Sequence, residues 1–403
     1  MSFPLRWSSA AILSAGLLLA AAAQAQPAAE PGVTATEIKI GQTAPFSGPV
    51  SVVATVVRAS AAYIEKINAA GGVGGRKITL ISLDDGYAPP KTVEQTRKLV
   101  EGDGVFLMFS SVGTPTNAAV QKYLNAKGIP QLFVQSGAAR WNDPKTYPWS
   151  IAGLPDYDSE ARAYAKYLLA NKPAARIGVL YQNDDLGRDY LKGLKAGLGD
   201  HAAQMIVAEQ TYEITDPTVD SQIINLRRAG ADTLFSFALQ RTTAQAVRKV
   251  AETGWHPLFF VPLVSNSIHT VLTPAGLDNA KGLMSAAVYK DPSDPRWQND
   301  ADYLEWLAWM KQYYPNGNVS EQLNVAGYTF AQLLVEVLRR CDGNFTRENV
   351  MRQATHLDHL KLPMLLPGIT VRTQPDDYRL YRQFQLQRFD GQRWVLEGTP
   401  VGG

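Results

Sequence analysis

From residue 34 onward, apolar runs of strand length alternate with segments of helical period, and this alternation limits the fold more than any other feature. Strands are expected at 38–43, 78–83, 105–110 and 131–134, with helices at 53–70, 92–101 and 116–126 between them. Within 53–70, Val53, Val57, Ala61, Ile64 and Ile67 recur on one face of a 3.6-residue period. Strands joined through helices run parallel, so the sheet must be covered on both faces. A second series follows Pro148, with helices at 159–169, 188–198, 221–228 and 243–252. Its strands are expected at 177–181, 205–211, 233–237 and 258–261. The expected architecture is α/β, two Rossmann-like doubly wound lobes.

Residues 68–78, Asn-Ala-Ala-Gly-Gly-Val-Gly-Gly-Arg-Lys-Ile, look like a phosphate-cradling glycine loop. Such a loop leaves a strand and opens a helix, so that helix amides face the phosphates. Here the helix comes first and the strand follows. The glycines are therefore read as a helix stop and turn, supplying positive φ without a Cβ penalty. Gly74→Ala is expected to damage folding and not ligand binding.

Residues 1–25 have the form of a cleaved secretory signal. Arg6 is the one charge before Glu30, residues 10–23 are almost entirely small or apolar, and Ala23-Gln24-Ala25 fits the small-x-small cleavage pattern. The mature chain should begin at Gln26 and enter a periplasm. The apolar stretch of ~14 residues is too short for the ~20 that span a bilayer. With Arg6 removed, 38 of the 39 Lys and Arg remain against 37 Asp and Glu. This near-neutral balance gives no support to nucleic-acid or membrane-surface binding driven by charge. The single Cys341 has no internal disulfide partner and reads as a small buried residue at a helix end.

Residues 37–49, Glu-Ile-Lys-Ile-Gly-Gln-Thr-Ala-Pro-Phe-Ser-Gly-Pro, precede the first long helix, which ends Ile-Asn-Ala-Ala-Gly-Gly-Val-Gly-Gly-Arg; the next strand ends Asp-Asp-Gly. In this order the fragments resemble the opening of type I periplasmic solute-binding proteins of ABC importers, in the leucine/isoleucine/valine-binding group. The resemblance continues at lower specificity through the rest of the chain. It implies a three-segment hinge, with 34–149 plus 290–366 forming the N-terminal lobe and 150–289 plus 367–403 the C-terminal lobe. Crossovers are expected at 141–150 and 285–295, and a hairpin over 381–396 is placed on the second lobe.

Ligands of open parallel sheets collect beyond the carboxyl ends of the strands. That rule selects Phe46 after the first strand and Ser110, Ser111, Gly113 and Thr114 after the third. It also selects Gln135, Ser136 and Gly137 after the fourth. Small hydroxyl residues, a glycine and a proline at a helix start suit an anion, and the resemblance implies that these loops hold a ligand carboxylate. In the second lobe the rule selects Asp185, Leu186, Leu239, Arg241 and Asn266. The chain departs from the amino-acid binders here. Residues 262–267 carry no acid for a ligand ammonium, and Leu186 and Leu239 stand where aromatics are usual. A carboxylate lacking an amine therefore suits the site as well as or better than a branched-chain amino acid.

Catalysis has little support. No Gly-x-Ser-x-Gly elbow occurs, Cys341 has no identifiable base, and His356 and His359 form the one close histidine pair. The aromatic helix from Trp297 to Tyr314 reads as packing and not as a sugar platform. No metal, cofactor or enzymatic activity is expected. The expected function is capture of a small carboxylate, an amino acid or an aromatic or aliphatic organic acid, by a monomer that serves an ABC permease. A ligand sensor on the same fold is the alternative, and a secreted α/β enzyme ranks below both.

Overall fold

The computed structural model describes Met1 and residues 30–402, so the expected leader, Met1 apart, and its cleavage site lie outside the described residues. β1 (Glu37–Ala44) is flanked by β2 (Lys77–Asp84) and β3 (Leu107–Phe109), and β4 (Gln131–Val134) and β5 (Ser150–Ala152) extend the sheet. The order is β2-β1-β3-β4-β5, parallel throughout. Helices α1 (Ala54–Ala69), α2 (Pro89–Arg97) and α3 (Thr114–Ala126) connect the strands. β3 and β4 are buried at every residue, as strands covered on both faces must be.

The second lobe opens with α4 (Tyr157–Asn171), β6 (Ile177–Gln182) and α5 (Asp185–Leu198). It continues through β7 (Ile206–Tyr212), β8 (Thr233–Phe237), β9 (Leu258–Phe260) and β10 (Met284–Ala287). The hairpin β11 (Gln383–Phe389) and β12 (Trp394–Gly402) completes a seven-stranded sheet, ordered β12-β11-β10-β9-β8-β6-β7. The hairpin strands are antiparallel additions to a parallel core.

One crossing differs from the sequence expectation. Residues 150–152 form the edge strand of the first sheet, so the first crossing follows Ala152 and does not occupy 141–150. Residues 284–287 belong to the second sheet, so the next crossing comes at Val288, inside the expected 285–295. There the backbone N–H of Leu366 donates to Val288 O (2.9 Å) and that of Lys290 to Met364 O (2.9 Å). The second and third crossings thus run side by side as a short antiparallel pair. Lys290 is buried and fixed by Asp300 (2.7 Å) and Asp302 (2.9 Å).

The chain then returns to the first lobe. The helix Ala301–Tyr313 begins after an Asp300 cap, later than a start at Trp297, and buries Trp306 and Trp309, with Trp309 beside Tyr63 and Tyr328 and Trp306 against Tyr303. The helix Gln322–Arg340 packs along α1 so closely that a Cβ on Gly327 would lie 2.3 Å from Val56 O. Ser60 Oγ donates to Gly327 O at 2.9 Å across that contact. Cys341 follows the helix, buried, with its thiol on Val337 O and its pKa pushed up to about 12 by burial.

Candidate functional site

Both sheets carry a topological switch, at β1/β3 and at β6/β8, where successive connections leave in opposite directions. The carboxyl ends of the two sheets face one cleft. In the first lobe, Val112 and Gly113 lead into α3, which starts without a side-chain cap. Its first-turn amides are therefore free of capping side chains, and the positive end of the helix meets the cleft. Thr114 Oγ1 and Ser136 Oγ lie 2.7 Å apart, and the Tyr157 hydroxyl joins them from the second lobe. Burial pushes the Tyr157 phenol up to about 12, so it stays a neutral donor.

The second-lobe wall comes from Leu186, Leu239, Gln240 and the loop 263–267. A buried carboxylate sets that loop. Glu160 Oε1 accepts from Leu263 N (2.7 Å) and Tyr164 Oη (2.7 Å), and Oε2 accepts from Tyr190 Oη (2.7 Å). Desolvation outweighs these bonds and raises its pKa to about 7. From the hairpin, Trp394 Nε1 donates to Asn266 O at 2.9 Å. The remaining walls are apolar: Val50, Val53 and Val56 after β1, Leu154 at the first crossing, and Leu323 and Phe330 on the returning helix.

The cleft is tight, with a cavity volume of about 80 Å³. Among the described residues, no Asp, Glu, Lys, Arg or His lines it. Contacts between the lobes surround it. Ser267 Oγ donates to the buried Glu321 carboxylate (2.9 and 3.0 Å), Arg140 Nη1 meets Asp185 Oδ2 (2.8 Å), and Ala139 N donates to Asp189 Oδ2 (2.8 Å). Burial raises the Glu321 pKa, and it raises that of Asp189 to about 6. The lobes stand closed over an uncharged, mostly apolar space.

A family model for periplasmic binding proteins matches residues 37–393. The chain belongs to this family. Leu/Ile/Val-binding protein homolog 7 of Brucella melitensis is 25% identical over 258 residues, covering 61% of this chain and 61% of that one. The match thus spans about three fifths of that relative's length. The solved branched-chain amino acid ABC transporter protein of Thermus thermophilus, with bound valine, superposes with a TM-score of 0.80 at 16% identity. It covers 91% of this chain and 97% of that one. The solute-binding protein of an ABC transporter from R. palustris, in complex with benzoate, gives 0.74 at 19% identity, covering 91% and 98%. At such identities these structures bear on the fold alone.

Of the residues selected from sequence, Gly113, Thr114, Gln135, Leu186, Leu239 and Asn266 line the cleft of this binding protein. Others stand behind it. Ser110 accepts from the amides of Gln42 and Gln135, and Ser111 Oγ accepts from Thr43 N, so both serine loops are stitched to the sheet. Ser136 supports Thr114, and Gly137 lies so near Pro155 that a Cβ would come within 1.9 Å of its carbonyl. Phe46, Asp185 and Arg241 do not line the cleft. Phe46 lies beneath Arg58, Asp185 is held by Arg140, and exposed Arg241 donates to Pro217 O. Sequence reading missed Tyr87, Tyr157, Gln240, Leu323 and Phe330. Gln240 follows β8 by three residues and was within reach of the strand-end rule. Tyr87 follows β2 by three residues in the same way. Tyr157, Leu323 and Phe330 come from the first crossing and the returning helix, where periodicity reports burial and not which cavity is lined.

Proposed function

We propose that this periplasmic binding protein captures a small carboxylate with an apolar body and presents the closed form to the membrane subunits of an ABC importer. The observation that carries the reading is the cleft itself: uncharged walls, mostly apolar, meeting one uncapped helix start beside the Thr114 hydroxyl. Amides and hydroxyls at a helix N-terminus favour a carboxylate. An ammonium group would be buried without a facing carboxylate, at a cost of several kcal/mol. Valine and benzoate, bound by two structural neighbours, are both carboxylates. The role is binding and not catalysis.

Calorimetry on matched compounds tests this. An aromatic acid is expected to bind and its amide to bind at least tenfold more weakly, whereas removing an α-amine is expected to leave affinity in place. Equal binding of acid and amide would remove the anion site. Tight leucine binding with no deaminated acid bound would overturn the ligand class.

A further inference from the structure

Of the four amide side chains that line the cleft, three are buried and share one arrangement. Gln240, Asn266 and Gln135 are 4%, 1% and 6% exposed. Gln240 Nε2 donates to Val264 O at 2.8 Å. Asn266 Nδ2 donates to Ala286 O at 3.0 Å and to Ser285 Oγ at 3.1 Å. Gln135 Nε2 donates to Ser110 O at 3.0 Å. A backbone carbonyl only accepts, so each amide must turn its nitrogen to the protein, and each oxygen is left as an acceptor. Gln240 Oε1 is buried with no partner, and among the described residues no hydrogen bond ends on Asn266 Oδ1 or Gln135 Oε1. Of the three oxygens Gln240 Oε1 is the one buried without a partner. Such an acceptor is costly, and a site built with one rejects ligands that lack the matching donor.

We infer that the ligand carries a neutral hydroxyl as well as its carboxylate, and that Gln240 and Asn266 read that hydroxyl from the second lobe. The inference rests on the carboxylate reading above, because the acid end is what aligns the ligand across the cleft. The donor is neutral because the lining holds no carboxylate to balance an ammonium. The ligand class is thus hydroxy-substituted aromatic or aliphatic acids, with Gln240 and Asn266 as specificity-determining residues.

The test is a calorimetric panel. It comprises benzoate, 3- and 4-hydroxybenzoate, 4-aminobenzoate, 4-hydroxybenzamide, 4-methylpentanoate, its 2-hydroxy derivative and leucine. Wild type is compared with Gln240→Met and Asn266→Ala. The readout is the affinity ratio of a hydroxy acid to its parent acid within each protein, so a uniform loss from loosened folding cancels. At least one hydroxy acid should bind tenfold or more tightly than its parent in wild type, and the ratio should fall towards one in Gln240→Met. Parents binding as tightly as every hydroxy acid, or a ratio unchanged in both variants, would overturn the inference while the carboxylate reading stands. An amino compound binding more tightly than its hydroxy counterpart would overturn the neutral donor. If 4-hydroxybenzamide binds as tightly as 4-hydroxybenzoate, the carboxylate reading fails and the hydroxyl reading survives. A panel with no binder overturns both.

Discussion

Glu160 shows how one side chain couples the core of the second lobe to the cleft. Its carboxyl holds the loop beginning at Leu263, yet it sits where desolvation raises its pKa from 4.5 to about 7. In the unfolded chain the same group ionises near its ordinary value. Between those two values the folded protein binds more protons than the unfolded one, so stability must fall as pH rises through this window. The loss amounts to on the order of 3 kcal/mol. Asp189, raised to about 6, acts in the same direction over a narrower range. Urea unfolding at pH 5 and pH 7.5 should show wild type losing stability and Glu160→Gln losing distinctly less. A variant with the wild-type slope would assign the pH dependence elsewhere. Nothing in the sequence marks Glu160, which reads as an ordinary acid in the first turn of α4. By contrast Thr114 and Gln135 were legible, because the strand-end rule concerns topology and needs no knowledge of packing.

The turn between α1 and β2 bears out the helix-stop reading and relocates its most sensitive residue. Gly71, Gly72, Gly74 and Gly75 all have positive φ, and the strand begins at Lys77. A Cβ on Gly72 would lie 1.9 Å from Arg76 O, whereas one on Gly74 would meet nothing nearer than 3.8 Å. Gly74→Ala should therefore cost only about 1 kcal/mol, the left-handed penalty of a non-glycine residue. Gly72→Ala must displace backbone and should cost several kcal/mol more than a purely conformational penalty. Thermal unfolding of both variants measures the difference, and ligand affinity should be unchanged in whatever fraction folds. Equal melting temperatures would contradict the geometry. The long elements were readable because their periods are strict over many residues. β5, with three residues buried throughout, has no alternation to read, and so the first crossing was placed too early.

Closure joins groups that lie far apart in sequence. Glu321, at the start of the helix Gln322–Arg340, and Ser267, beyond β9, meet only because the chain crosses between lobes three times. In the closed arrangement the Glu321 carboxylate is buried near His269 and Asp291, and an opening of the lobes that broke its bond to Ser267 would return it to water. Burial makes it harder to ionise, so closing favours proton uptake, and affinity should decline as pH rises above the ordinary carboxylate range. Calorimetry between pH 5.5 and 8, using the tightest acid of the panel, should show this slope in wild type and a flatter one in Glu321→Gln. Identical slopes would separate Glu321 from closure.

The uncharged lining also has a kinetic consequence. Among the described residues no lysine, arginine, aspartate or glutamate lines the cleft, and the charges around it are paired in a molecule of nearly balanced charge, so little net field draws an anion from a distance. Stopped-flow association rates should therefore change little between 20 and 500 mM salt, where a steered encounter would slow by about tenfold or more. Discrimination among ligands then resides in how long each stays. On the proposed reading, the protein would sample anions indiscriminately and retain only those that satisfy its walls.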